Sequence, residues 1–202
     1  MLKIGVTGPI GCGKSTVARW LGERAGVRVV DADHEARLVL APGTAEVEAA
    51  YARFGGALRR PNGELDRAAL GRIVFADPVA LRDLEAIVHP AVRPRILAEI
   101  ADAESAGATA VIIEAIKLVE GGLANACDEV WLLTCSPRAQ HERLIRRGST
   151  PADAAQRIAA QGDIVRRIRG MVGRVIDSSS DPTTTRQDVE RAMEDALQAA
   201  RP

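Results

Sequence analysis

The sequence predicts an α/β fold in which a five-stranded parallel sheet carries helices on both faces. Five short apolar runs, at 2–7, 27–31, 109–115, 129–135 and 173–177, are continuous rather than alternating, the pattern of strands covered on both sides. Helical periodicity fills the spaces between them, which is the element order a parallel sheet requires. The 202 residues suffice for one substantial domain with inserted subdomains. With two Trp, one Tyr and two Phe, the core must be built from aliphatic residues.

The first run leads into Gly8-Pro-Ile-Gly-Cys-Gly-Lys-Ser15, which reads G-x-x-x-x-G-K-S, and a helix-compatible stretch follows over 15–22. In a strand–loop–helix setting this is a P-loop. Its glycines let successive N–H groups converge on one phosphate, and the emerging helix adds its positive end. Gly8, Gly11, Cys12, Gly13, Lys14, Ser15 and Thr16 are the candidate nucleotide contacts. Lys14 is expected to reach the β- and γ-phosphates of ATP, and the Ser15 hydroxyl to ligate Mg²⁺. Lysine occurs elsewhere only at positions 3 and 117, arginine supplying the remaining positive charge, which singles out Lys14 as a compact point charge.

Asp31-Ala-Asp33 lies directly at the exit of the second run. Residues two apart at a strand end point the same way, so both carboxylates can face the ligand edge, next to the P-loop strand. Phosphoryl transfer to an alcohol needs a carboxylate beside the attacking hydroxyl. Either aspartate could instead cap the helix expected over 34–40. Between Asp33 and Gly107 lie several helical patterns, among them 65–75, 79–88 and 92–103, with His89-Pro90 at a helix junction. That length exceeds a single crossover, so residues 34–106 are expected to form a helical acceptor-binding insertion.

Glu114 ends the third run, where nucleoside triphosphatases often place a carboxylate near Mg²⁺, although a strand-end Glu can equally pair with an arginine. Lys117, just beyond, could touch a phosphate or be solvated. Residues 137–170 carry Arg138, Arg143, Arg146, Arg147, Arg157, Arg166, Arg167 and Arg169 and are expected to form a mobile lid. Arg143 and Arg147 share one face of a helix over 137–147 and could clamp a γ-phosphoryl or form a solvated basic face; Arg146 lies off that face. In the last segment Val189, Met193 and Leu197 recur every four residues, after Thr183–Thr185 as candidate caps. The nucleotide-binding core is therefore expected over 1–33, 107–136 and 171–202.

Lys+Arg and Asp+Glu stand at 27 each, so no overall positive field recruits nucleic acid. No run approaches a membrane span and no signal segment precedes the first strand, which points to the cytoplasm. Three cysteines, at 12, 127 and 135 and without a C-x-x-C pair, argue against a disulfide framework or a zinc site. His34, His89 and His141 have no metal-like spacing.

Taken together, several stretches resemble the dephospho-coenzyme A kinase family. They are Ile4-Gly-Val-Thr-Gly8 into Gly11-Cys-Gly-Lys-Ser-Thr-Val-Ala18, Val29-Val-Asp-Ala-Asp33, Gly63-Glu-Leu-Asp-Arg67 and Leu84-Glu-Ala-Ile-Val-His-Pro90. Later come Gln140-His-Glu-Arg-Leu144 with Arg147, Arg157-Ile-Ala-Ala-Gln161 and Val175-Ile-Asp177, in family order over nearly the whole chain. The resemblance implies a three-layer P-loop kinase fold with a five-stranded parallel sheet, a helical substrate-binding insertion and a helical lid. It implies phosphorylation of the ribose 3′-hydroxyl of dephospho-coenzyme A by ATP with Mg²⁺, in a protein that is a monomer or weak homo-oligomer. Asp33 would be the catalytic base, assisted by Lys14, Arg143 and Arg147, while Asp33, Arg67, His89 and Lys117 would hold the acceptor. Another nucleoside monophosphate or small-molecule P-loop kinase is the alternative. Two stretches depart from the family. Ile116-Lys-Leu-Val-Glu120 stands where it usually has Pro-Leu-Leu-Phe-Glu, and Asp177-Ser-Ser where it usually has an Asp-Asn-Gly type of ending.

Overall fold

A computed structural model of the chain describes residues 1–200. Five strands, β1 (Leu2–Thr7), β2 (Val27–Asp31), β3 (Ala110–Glu114), β4 (Glu129–Thr134) and β5 (Arg174–Asp177), lie parallel in the order β2-β3-β1-β4-β5. Successive strand residues point to opposite faces; in β1, β3 and β4 both sets are buried, while Arg28 and Val29 of β2 and Val175 and Asp177 of β5 are exposed. On one face Ile4, Val6, Ile112, Trp131 and Leu133 meet Val17, Ala18 and Leu21 of α1 (Lys14–Gly22). Val189, Ala192, Met193 and Ala196 of α9 (Pro182–Ala199) complete that layer. On the other face Leu132 meets Ile164 and Ile168 of α8 (Ile164–Ile168), with Ile116, Val119, Val165 and Val172 around them. At about 1.5–3 kcal/mol for each fully buried large aliphatic side chain, these layers carry most of the favourable energy of the sheet. Double coverage is why the central strands β3 and β4 are nearly continuously apolar.

The strand order corrects one expectation. The neighbour of β1 on that side is β3, which pairs with β1 and β2 alike, so Asp31 ends a strand one further out. Local apolar pattern marks a strand, but parallel partners are chosen by the crossovers between them.

The chain forms two compact units. The larger, residues 1–31 and 99–200, holds the sheet with α1, α6 (Pro137–Arg146), α7 (Pro151–Gln161), α8 and α9; the residues expected as a lid pack within it. The smaller, residues 32–98, is helical: α2 (Ala32–Val39), α3 (Ala45–Phe54), α4 (Arg67–Ala76) and most of α5 (Pro78–Ser105). Val47, Ala50, Tyr51, Leu70 and Val74 are buried there, and Thr44 and Asp66 cap α3 and α4 by accepting from the N–H groups of Val47 and Ala69.

Two more corrections concern helices. α5 runs unbroken through Pro90 and Pro94, so His89 is an exposed residue within a helix and marks no junction. An interior proline costs about 3 kcal/mol or more. Val88, Val92, Ile96 and Ile100 are all buried at four-residue spacing, and that stripe holds the helix together across both prolines. The cap of α9 is Asp181, whose carboxylate accepts from the N–H groups of Thr183 and Thr184; Pro182 takes the first helical position, and Thr183–Thr185 lie within the first turn. No helix among the described residues is long and apolar enough to cross a membrane.

Candidate active site

β1 ends at Thr7 and α1 starts at Lys14, leaving residues 8–13 as a loop at the carboxyl edge of the sheet. All three of its glycines, at 8, 11 and 13, have positive φ. A Cβ on Gly8 would lie 2.2 Å from the carbonyl oxygen of Leu133 in β4, and Gly8 has φ 141°. Gly13 caps α1 in the left-handed region at φ 88°. The loop's polar groups are paired with the protein itself. The Ile10 N–H donates to Gln161 Oε1 at 2.8 Å, and Gln140 Nε2 donates to the Ile10 carbonyl at 2.8 Å. The Cys12 N–H donates to the Pro9 carbonyl at 3.3 Å. The buried Lys14 ammonium donates to the carbonyls of Gly8 and Pro9, at 2.9 and 3.1 Å. Ser15 Oγ donates to Glu114 Oε1 at 2.6 Å, so the strand-end glutamate read as ambiguous from sequence lies in contact with the motif serine. A hydroxyl and a carboxylate are hard oxygen donors of the kind Mg²⁺ takes, and these two fit such an ion.

From α6, Arg143 reaches over this loop. Its Nη1 donates to Ser178 Oγ at 3.0 Å and to the Gly11 carbonyl at 3.4 Å, and its Nη2 to the Ser178 carbonyl at 2.5 Å. Ser178 is buried and donates to the Cys12 carbonyl at 2.9 Å; next to it, Ser179 Oγ accepts from the N–H of Ser136, the N-cap of α6. The unusual Asp177-Ser-Ser ending thus ties β5 to the phosphate loop and to α6 together. A cavity of 210 Å³ opens beside it, lined by Thr16 and Trp20 of α1, by Arg143, Arg146 and Arg147, and by Ser178. Arg147 is the C-cap of α6, and Arg146 lines the cavity too, although it lies off the helix face expected for Arg143 and Arg147.

The other departure, 116–120, is seated by apolar contacts. Leu118 is fully buried, and a Cβ on Gly5 would lie 2.4 Å from its Cδ2. Thr7 Oγ1 donates to the Ile116 carbonyl at 2.9 Å. Lys117 sits half-buried between these anchors, past the end of β3.

Cysteine parity misled. Cys12 and Cys135, 123 residues apart, are joined by a disulfide with Cα atoms 5.2 Å apart, because β1 and β4 are neighbours and their exits adjoin. Cys127 is the free thiol.

In the smaller unit Asp33 is exposed in the first turn of α2, where the helix dipole favours a carboxylate. Because α2 begins directly at Ala32, Asp33 stands on a helix, and the strand-alternation argument that aligned it with Asp31 does not apply. Arg67 Nη2 donates to the carbonyls of Arg37 and Leu40, at 2.8 and 3.3 Å, and so satisfies the C-terminal end of α2. Burial, with Arg37 nearby, pulls its guanidinium below the usual arginine range. Glu35, buried on α2, pairs with Arg95 at 2.6 Å.

The larger unit therefore gathers the loop 8–16, Glu114, Arg143, Arg146, Arg147 and Ser178, whereas Asp33, Arg67 and His89 belong to the smaller one. Gln140 and Gln161 were visible only as members of longer stretches. Ser178 stood out only as part of the departing stretch Asp177-Ser-Ser, and its role depends on β5 lying beside β4.

Comparison with known proteins gives a consistent result. A family model described as dephospho-CoA kinase matches residues 2–181. A dephospho-CoA kinase of Symbiobacterium thermophilum is 44% identical over 190 residues, covering 94% of this chain and 79% of its own. One from Synechococcus elongatus is 39% identical over 198 residues, covering 98% and 93%. The crystal structure of TT1252 from Thermus thermophilus aligns over 100% of this chain and 98% of its own, with a TM-score of 0.76 and 31% identity. A shikimate kinase from Acinetobacter baumannii shares the fold, with a TM-score of 0.59 at 17% identity over 100% and 96% of the two chains.

Proposed function

Since the chain belongs to the dephospho-CoA kinase family and phosphorylates dephospho-CoA to give CoA, we propose that ATP binds on residues 8–16 and that Asp33 activates the acceptor. The observation that carries the reading is the loop 8–13 running into α1, with Lys14 at the helix start and Ser15 beside Glu114. Loops of this kind hold a triphosphate by backbone N–H groups and the helix dipole. Lys14 exchanges its two loop carbonyls for β- and γ-phosphate oxygens. Arg143 and Arg147, both at the cavity, neutralise charge on the transferring group, which is most of the catalytic task in phosphoryl transfer. Ser15 and Glu114 would hold Mg²⁺, which would supply charge neutralisation to the phosphates.

Asp33 accepts the hydrogen bond of the ribose 3′-hydroxyl and orients that oxygen in line with the γ-phosphorus. Chain continuity supports the assignment: Asp33 follows the last residue of β2 by two positions, at the carboxyl edge where parallel α/β sheets bind ligands. Arg67 anchors the helix that carries Asp33, and with His89 and Lys117 it is assigned to holding the acceptor. With this reading go a cytoplasmic location, a monomer or weak homo-oligomer, and no nucleic-acid partner, the last supported by equal counts of basic and acidic residues.

The test is Asp33→Asn. ATP affinity by calorimetry should stay at the wild-type value, while turnover in a coupled ADP-release assay with dephospho-CoA falls about a hundred- to ten-thousandfold. Near-normal turnover would refute the role.

A further inference from the structure

Three facts about Cys12 and Cys135 have no part in phosphoryl transfer. The disulfide links the phosphate loop itself, between Gly11 and Gly13, to the residue that follows β4. Each cysteine also sits immediately before a helix N-cap, Cys12 before Gly13 of α1 and Cys135 before Ser136 of α6. The positive end of a helix favours a thiolate, the attacking species in thiol–disulfide exchange. Cys12 is buried whereas Cys135 is partly exposed, which favours Cys135 as the point of entry and Cys12 as the resolving residue. Cys127 behaves in the opposite way: burial pushes its thiol up to about 12, and it donates to the Leu123 carbonyl.

In the disulfide-bonded protein the loop's donors are turned to protein acceptors. The Ile10 N–H goes to Gln161, the Cys12 N–H to Pro9, and the Lys14 ammonium to Gly8 and Pro9. A triphosphate must reclaim these groups. A covalent tie from Cys12 Sγ to the end of β4 opposes the turning of the peptide units on either side of it.

We propose that Cys12 and Cys135 form a redox modification site, oxidised by low-molecular-weight disulfides, whose closure holds the phosphate loop in a form that excludes the triphosphate. The Cys135 thiolate attacks one sulfur of the small disulfide RSSR; that S–S bond breaks and RS⁻ departs, leaving Cys135 as a mixed disulfide. The Cys12 thiolate then attacks Cys135 Sγ and expels the second RS⁻. Two protein thiols lose two electrons, one RSSR gains them, and the two cysteine protons end on two RSH. A reductant reverses both steps. The proposal goes beyond the kinase reading and uses only the part of it that seats ATP on the loop.

The experiment equilibrates the full chain with oxidised and reduced glutathione in set ratios, removes the glutathione, and counts thiols by alkylation and mass spectrometry. ATP affinity is then measured by calorimetry, a readout chosen because the acceptor's own thiol would exchange with the disulfide during an activity assay. The oxidised protein should retain one thiol, at Cys127, contain a linked Cys12–Cys135 peptide, and bind ATP about tenfold or more weakly, as expected when the binding-competent loop is a minor population. Reduction by a phosphine should restore full affinity. Cys135→Ser should bind ATP equally well in both media, and Cys135→Ala replaces it if the serine variant does not fold. Three thiols surviving at every ratio, a crosslink without loss of affinity, or an equal loss in Cys135→Ser would each overturn the proposal alone. Failure of the reduced wild type to bind ATP would overturn the nucleotide reading and the proposal with it.

Discussion

β1 and β2 both run into a helix at the carboxyl edge of one sheet, but they make the junction differently. β1 detours through residues 8–13 before α1 starts at Lys14, whereas β2 ends at Asp31 and α2 starts at Ala32 with nothing between. The detour supplies a run of backbone N–H groups, paired with protein acceptors until an anion claims them, and brings a lysine to the helix start, the equipment for receiving an anion. The direct junction leaves no loop and offers a carboxylate on an exposed first turn, the equipment for receiving a proton. On the proposed reading, loop length at a strand exit goes with the partner each exit receives, the phosphate donor at β1 and the acceptor at β2.

Substitutions at the two exits should separate these roles. Asp33→Asn, with the largest expected effect, strikes turnover alone. Lys14→Met should lower both ATP affinity and kcat/KM, the latter by about a hundred- to thousandfold, as when one preorganised donor to the developing charge is removed. If steady-state kinetics and calorimetry gave the two variants the same signature, the division of labour would be wrong. Stability gives a second contrast. Gly8→Ala pushes a Cβ against the Leu133 carbonyl at an unfavourable φ and should cost about 2 kcal/mol or more in chemical denaturation. Ala32→Gly at the direct junction should cost at most about 1 kcal/mol. Equal costs would mean that the close approach of β4 to the loop is not what demands glycine there.

The smallest effect concerns the helical unit that carries the second exit. The Ala69 N–H, followed by Arg60, holds the Asp66 carboxyl below its ordinary 3.8. A carboxyl depressed in the folded state stabilises above its unfolded pKa, and that contribution fades as pH falls through the lower folded value. Asp66→Ala should therefore melt slightly below wild type at pH 7, with the gap closing as the medium is acidified below 3.8. A gap independent of pH would assign the loss to helix propensity.

Features made by near neighbours in sequence were legible, and those made across the sheet were not. Glycines, a lysine and a serine at fixed spacing spelled the phosphate loop, and apolar runs located all five strands to within a residue or so. The insertion of β3 between β1 and β2 was invisible, because pairing is decided by crossovers. For the same reason the contact of Glu114 with Ser15, the role of Ser178 and the Cys12–Cys135 bond were missed or under-read: each joins residues far apart in sequence. α5 failed differently. Proline is a strong local breaker, and only a buried stripe of Val88, Val92, Ile96 and Ile100 reveals that tertiary packing overrides it.

One residue of the loop, Ile10, has its N–H held from α7 and its carbonyl held from α6. Docking of those helices and the shape of the loop are consequently linked, and thermodynamic linkage runs in both directions. An anion that claimed the Ile10 amide would evict Gln161 and loosen α7, and anything that pinned α7 down would weaken the anion to the same degree. Changes in α7 can in this way tune how tightly the loop holds an anion.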